Sequence, residues 1–143
     1  MMQKQITTSI TINATTEQIW AVLMDFENFP KWNSFIKSIS GTPKVANTLH
    51  VQLQNMNFTP TVLKHRKNSE FIWKGKLFMK GIFDGEHRFY VKDNGNGSST
   101  FEHSEKFSGI LVPFFSKNLD KNVTKGFETM NKELKDFVEK INS

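Results

Sequence analysis

Two histidines and a glutamate are the residues most able to do chemistry. His87 lies in a strand-like run, 82–92, and His103 and Glu105 lie in a second, 98–109. Imidazole titrates near neutrality, and a carboxylate in a desolvated pocket has its pKa pushed upward. Such a set can move a proton during an aldol-type cyclisation or dehydration. It can also serve as a satisfied polar cluster in an apolar cavity, where it holds a ligand's carbonyl or hydroxyl. The second role is the one we favour, so His87, His103 and Glu105 are catalytic candidates without an assigned catalytic role. Their spacing matches no zinc motif, and no metal is expected. The chain has no Gly-x-Gly-x-x-Gly, no phosphate loop and no serine in a nucleophile elbow, and no cofactor is expected. His50 and His65 fall in other strands without an evident partner and take surface or packing roles.

The two runs are joined by Asp93-Asn94-Gly95-Asn96-Gly97, a turn that supplies positive φ cheaply. One register places Arg88 opposite Glu102, Asp84 opposite Lys106 and Tyr90 opposite Thr100 on one face. The other face then pairs His87 with His103, Phe89 with Phe101, Phe83 with Phe107 and Gly85 with Glu105. Opposite charges thus gather on one side and aromatics on the other, and a shift by two unpairs Arg88 or sets Glu86 against Glu102.

The elements that must carry this hairpin read in a clear order. Residues 3–13 alternate, with Ile6, Ile10 and Ile12 on one face. Thr15 and Thr16 offer an N-cap, and Thr15 to Gln18 has capping-box spacing ahead of Ile19, Trp20, Leu23 and Met24. Asp25 to Trp32 reads as a second short helix interrupted by Pro30. Strand-like runs fill 34–92, broken at Gly41-Thr42-Pro43, Asn55 to Asn57, Lys67-Asn68-Ser69 and Lys80-Gly81. From Pro113 onward, Leu119, Val123, Phe127, Met130, Leu134, Phe137 and Ile141 recur at steps of three and four. A helix from Pro113 to Ile141 would span ~43 Å. This is an α+β pattern with the helices on one side of the sheet, and a bent sheet around one helix leaves a pocket between them.

Composition narrows the function classes. The chain has 143 residues and no cysteine, which excludes a disulfide scaffold and thiolate chemistry. It reads as one domain over 1–143, with no apolar run long enough to span a bilayer and no signal-peptide core, so a cytoplasmic location is expected. Net charge is +5, yet only Arg66 and Arg88 among the 19 basic residues are arginine, the side chain that base and phosphate recognition favours. Lys64, Arg66, Lys74, Lys76 and Lys80 are therefore expected to form a solvated exterior, with no nucleic-acid partner. Fourteen phenylalanines and three tryptophans against one tyrosine suit a thick core or a greasy cavity.

In this order several local motifs resemble the SRPBCC superfamily, the START-like and birch-pollen-allergen-like helix-grip group, in its bacterial polyketide cyclase/dehydrase-like branch. They begin with Ile12-Asn13-Ala14, Glu17-Gln18-Ile19-Trp20, and Asp25 followed by Phe29-Pro30-x-Trp32-Asn33. Phe58-x-Pro60, Trp73-x-Gly75 and Gly81-x-Phe83-x-Gly85-x-His87-x-Phe89 follow. Thr100-Phe101-x-His103-x-Glu105-x-Phe107-x-Gly109 and Phe127-Glu128-x-Met130-Asn131-x-x-Leu134-Lys135 complete the set. Thr15 departs from the proline of many relatives. The resemblance implies a curved seven-stranded antiparallel sheet gripping the C-terminal helix, with two short helices between the first and second strands and a hydrophobic cavity.

The expectation is a monomer or weak dimer that holds a small hydrophobic molecule, lipid-like, aromatic or polyketide-like. The reading leans away from an enzyme. A cyclase or dehydratase using the pocket His and Glu is the alternative, and a co-chaperone-like protein-binding module is the third. The expected ligand-binding walls are Trp73, His87, Phe89, Phe101, His103, Glu105 and Phe107 from the sheet, and Leu119, Val123 and Phe127 from the helix. Trp20 and Trp32 take structural roles.

Overall fold

A computed structural model describes residues 3–53, 56–76, 84–109 and 119–143, the side chains of 119 and 120 excepted. Strand β1 (Gln3–Ile12) turns its even-numbered side chains inward, with Ile6 and Ile12 buried. Helix α1 (Thr16–Met24) starts on the expected capping box: Thr15 Oγ1 accepts from the Gln18 N–H and Gln18 Oε1 accepts from the Thr15 N–H. Such a cap is worth about 1 kcal/mol and replaces what proline would contribute by fixing φ. The second short helix is a 3₁₀ helix, Phe26–Lys31, with Pro30 inside it. It buries Phe26 and Phe29 and leads into Trp32, whose ring packs on Phe29 and stacks on Phe137.

Five strands form the main antiparallel sheet in the order β1-β8-β7-β6-β5, with β5 Thr61–Arg66, β6 Glu70–Lys76, β7 Asp84–Asp93 and β8 Ser99–Ser108. Three more, β2 (Ile36–Ser40), β3 (His50–Leu53) and β4 (Asn57–Phe58), form a smaller one. The two sheets are one ladder bent at a proline. The Thr48–Thr61 bridge continues the β3–β4 register, and the Leu49 N–H donates to Pro60 O across the break. Pro60 has no N–H to continue the ladder, so β4 and β5 are two halves of a single bent strand. Counted so, the described residues give the seven strands expected of the fold.

The β7–β8 register departs from expectation by two residues. Arg88 faces Ser104, Tyr90 faces Glu102, Glu86 faces Lys106, Asp84 faces Ser108 and Gly85 faces Phe107, while His87 faces Glu105 and Phe89 faces His103. The turn decides this. Asn94 N–H donates to Ser98 O, which leaves Gly95, Asn96 and Gly97 as the loop, with both glycines at positive φ. Asp93 Oδ1 caps the Gly95 N–H, and Asn96 Oδ1 caps the Ser98 N–H. The shift does not strand Arg88. Its Nη1 reaches Glu102 diagonally at 2.8 Å, its Nε pairs with Glu70, and the guanidinium lies 4.4 Å above the Tyr90 ring. Because the shift is even, each side chain keeps its face. Phe83 lies outside the described residues.

The C-terminal helix α2 (Thr124–Ile141) is preceded by a widened π turn, Leu119–Val123. Pro113 lies outside the described residues. At 1.5 Å per residue α2 is about 27 Å long. Phe127, Met130, Leu134 and Val138 are buried, whereas Ile141 is 55 % exposed: the stripe leaves the core a turn earlier than its spacing predicts, through Val138. Asn131 is buried as well. Most of the core joins Ile12, Ile19, Leu23, Phe29, Phe71, Phe89 and Phe101 to the second half of α2, each large side chain contributing about 1.5–3 kcal/mol. Arg66, Lys74 and Lys76 are exposed, Lys64 pairs with Glu70 at 2.8 Å, and Lys80 lies outside the described residues. No helix among the described residues is long and apolar enough to cross a membrane.

Candidate functional site

A cavity of about 220 Å³ opens between the sheet and the first turns of α2, with an almost wholly apolar wall. Its sheet side carries two glycines, with the Phe58 ring 3.0 Å from where a Cβ of Gly75 would stand. Gly75 on β6 faces Gly85 on β7, and both line the cavity. Trp73, His87, Glu105 and Phe107 surround this bare patch, and Val123 and Phe127 close the helix side. Phe35, Ile36, Leu53, Met56 and Phe58 close the third side. Phe35, Leu53 and Met56 also border an outer groove with Ser34, Lys125, Gly126 and Thr129, so these three side chains stand between the cavity and that groove. Gly126 lies against Phe35 there: a Cβ on it would sit 2.7 Å from two ring carbons of Phe35.

The polar residues of the wall belong to a buried chain of hydrogen bonds. Glu105 Oε1 lies 2.6 Å from His87 Nδ1, and His87 Nε2 lies 2.8 Å from His103 Nε2. His103 Nδ1 is 3.0 Å from Asn131 Oδ1, Asn131 Nδ2 donates to Thr8 Oγ1 at 2.8 Å, and Thr8 Oγ1 donates to His103 O. Each ring is held by one stacked aromatic partner: Trp73 stacks on His87 at 4.8 Å and Phe127 on His103 at 3.9 Å, centroid to centroid.

Burial pushes the His87 imidazole down to about 3. It also pushes His103 well below the usual imidazole range, with repulsion from His87 adding and hydrogen bonds to Asn131 and the Phe127 backbone opposing. Burial drives Glu105 the other way, well above the usual carboxylate range, and the charge of Glu86 adds to the rise. Both shifts run toward the uncharged forms, a carboxylic acid facing an imidazole across the 2.6 Å contact. Chemically this site can hold a polar group of a ligand or exchange a proton with it. Among the described residues no three His, Asp or Glu side chains are grouped as a metal site.

Six of the residues singled out from the sequence, Trp73, His87, Glu105, Phe107, Val123 and Phe127, stand in the cavity wall. Phe89, Phe101 and His103 are fully buried behind it and are not among the lining residues. The Leu119 side chain lies outside the described residues. The sequence reading missed the third wall and Asn131. The wall residues sit in short, irregular runs with weak alternation, but the burial of Asn131 had a signal, since it lies four residues after Phe127 and three before Leu134 on the buried stripe. His50 is exposed, while His65 bonds Pro43 O and packs on Trp20 and Phe71.

Residues 3–140 match the family described as polyketide cyclase / dehydrase and lipid transport. Among curated proteins none matches. Solved structures share the fold at low identity. A START superfamily protein from Mycobacterium smegmatis is 20% identical with a TM-score of 0.73, over 96% of this chain and 98% of that one. A norcoclaurine synthase point mutant from Thalictrum flavum, in complex with a transition-state analogue, is 15% identical with a TM-score of 0.76, over 99% and 98%. The di-domain ARO/CYC StfQ from the steffimycin biosynthetic pathway is 8% identical with a TM-score of 0.78, over 98% of this chain and 52% of that one.

Proposed function

Since the chain belongs to the polyketide cyclase/dehydrase and lipid transport family, we propose that it binds a small, largely apolar molecule in the cavity between sheet and helix. The observation that carries this is an apolar cavity of about 220 Å³ with His87 and Glu105 in its wall. Ligand sites have this make-up, apolar walls with few polar groups. Size narrows the guest. A cavity of about 150 Å³ holds benzene, so this one suits one or two rings or a short branched chain. A long acyl chain or a multi-ring polyketide would require the mouth between Phe35 and Met56 to widen.

Native mass spectrometry of protein purified from its own host tests the proposal, with Val123→Trp as the control that fills the cavity from the helix side. A small-molecule adduct on the wild type that the variant lacks is the expected result. Adducts of equal abundance on both, or binding of naphthalene-sized probes unaffected by the variant, would place the ligand elsewhere.

The acid–imidazole contact between Glu105 and His87 favours a second reading, a cyclase or dehydratase in which Glu105 exchanges a proton with the guest. Incubating the recovered ligand with wild type and with Glu105→Gln, and following its chemical identity, separates the two. Return of the intact molecule from the wild type supports binding alone.

A further inference from the structure

We propose that the cavity selects a neutral aromatic molecule bearing a hydroxyl group, whose O–H donates to Glu105 Oε2. This deepens the ligand-binding reading and rests on it. The basis is the polarity of the buried hydrogen-bond chain, which can be followed proton by proton from its far end.

The Thr8 hydroxyl has one hydrogen, and it is directed at His103 O. Thr8 Oγ1 must then accept from Asn131, which turns the amide so that Nδ2 faces Thr8 and Oδ1 faces His103. An amide oxygen only accepts, so His103 Nδ1 carries a hydrogen. His103 is fully buried and neutral, so its Nε2 is bare and needs a donor. That donor, 2.8 Å away, is His87 Nε2. His87, also buried and neutral, is left with a bare Nδ1, and Glu105 Oε1 at 2.6 Å must supply the proton. Glu105 is thereby the acid, and its Oε2 is the carbonyl-type oxygen, an acceptor. If the shared proton moves to His87, Glu105 becomes a carboxylate and Oε2 is still an acceptor. A ligand meeting this oxygen has to donate in both cases.

Charge narrows the class further. The chain from Thr8 to Glu105 is neutral in either proton position. An anionic guest would bring an uncompensated charge into an apolar cavity, beside a carboxyl that already feels the negative charge of Glu86. Lys106 sits opposite Glu86 on the outer face and does not line the cavity. An ammonium guest would leave a net positive charge there. A neutral hydroxyl satisfies both conditions, and the cavity volume suits a two-ring phenol.

The test titrates the full chain at pH 7 with 2-naphthol, 2-methoxynaphthalene and 2-naphthoate, which share a ring system and differ in the polar group. The expected order has 2-naphthol about tenfold tighter than its methyl ether, the scale of one buried hydrogen bond, and 2-naphthoate weaker than 2-naphthol. Glu105→Gln should keep that order, since its amide N–H can face His87 and its C=O the ligand. Glu105→Met should erase the advantage of 2-naphthol. Nitrogen-15 NMR of the wild type, which needs no variant to fold, should show the Nδ1–H tautomer for His103 and the Nε2–H tautomer for His87. The methyl ether or naphthoate binding as tightly as 2-naphthol, or the opposite tautomers, would overturn the hydroxyl anchor and leave the cavity reading standing. Failure of all three probes to bind would remove the cavity reading and this inference together.

Discussion

Glu105 and its histidine partners make the protein's stability depend on pH in a way whose sign can be worked out. His87 and His103 have depressed native pKa values, so below about 6.5 the unfolded chain takes up their protons first and stability falls as pH drops toward 3. Glu105 has a raised native pKa, so its contribution is fully present in acid and is lost as pH rises above the ordinary carboxylate value. Between about pH 4.5 and 6.5 the two histidines outweigh the one carboxyl by a single proton, so stability should rise by about 1 kcal/mol per pH unit. Above that window only Glu105 acts, and stability should decline. Urea unfolding from pH 4 to 9 is expected to peak near neutrality, with Glu105→Gln removing the alkaline decline. A wild-type profile flat over that range would contradict the neutral assignment of all three groups. The same substitution preserves size and hydrogen-bonding pattern, so ligand affinity should fall by no more than ~1–2 kcal/mol, measured by calorimetry.

At the scale of elements, two local decisions shape the site. The Gly95-Asn96-Gly97 loop sets the β7–β8 register, which puts His87 opposite Glu105 and sets His103 diagonal to His87, so that the three side chains form a chain along the strands. The other decision is made on α2, where Gly126 lets the Phe35 ring lie against the helix. For Gly126→Ala, about 1 kcal/mol of helix propensity competes with a clash at 2.7 Å. The clash is with a half-buried ring at the cavity mouth, which can swing outward. We therefore expect a stability change within about 1 kcal/mol, together with faster ligand exchange in stopped-flow experiments. A large loss of stability with unchanged exchange would show that Phe35 is fixed packing rather than part of the mouth.

For the whole molecule, the cavity follows from how the layers divide the work. The second half of α2 seals against β1 and the short helices, where Met130, Leu134 and Val138 meet the large core. The first half meets the sheet where Gly75 faces Gly85, and among the described residues Ile6, Phe107 and Phe127, with the partly buried Phe35 and Val123, make a small core there. Gly85→Leu should therefore fill the space, abolish probe binding and leave the fold intact by circular dichroism; retained binding would relocate the site. The expectation for the exterior is that it has no nucleic-acid partner. Arg66, Lys74 and Lys76 are solvent-facing, while Arg88 is tied to Glu70 and Glu102. Binding to DNA or RNA is expected to be no tighter than the non-specific level of about 10⁻⁶ M at physiological salt, and sequence preference in that assay would reverse the expectation.

What the amino-acid sequence determined by itself was whatever local chemistry controls. The Thr15–Gln18 cap, the even face of β1, the stripe from Phe127 to Leu134 and the face on which His87, His103 and Glu105 lie all follow from periods of 2 and 3.6 and from short-range hydrogen bonds. The family's fold was legible for the same reason, because its motifs sit at those local positions in a characteristic order. Tertiary structure decided the rest. Charge pairing alone favoured a register two residues away, since diagonal contacts such as Arg88 to Glu102 satisfy the charges as well as direct ones do. The turn's backbone angles broke that tie. Phe89, Phe101 and His103 share a face with the cavity residues, yet Phe89 and Phe101 lie in the large core with the second half of the helix, and His103 is covered by the ring of Phe127. The sequence period selects a face, whereas the packing of α2 against the sheet selects which part of that face is left uncovered. Asn131, from a distant helix, supplies the polarity of the whole chain, and no spacing within β7 or β8 could announce it.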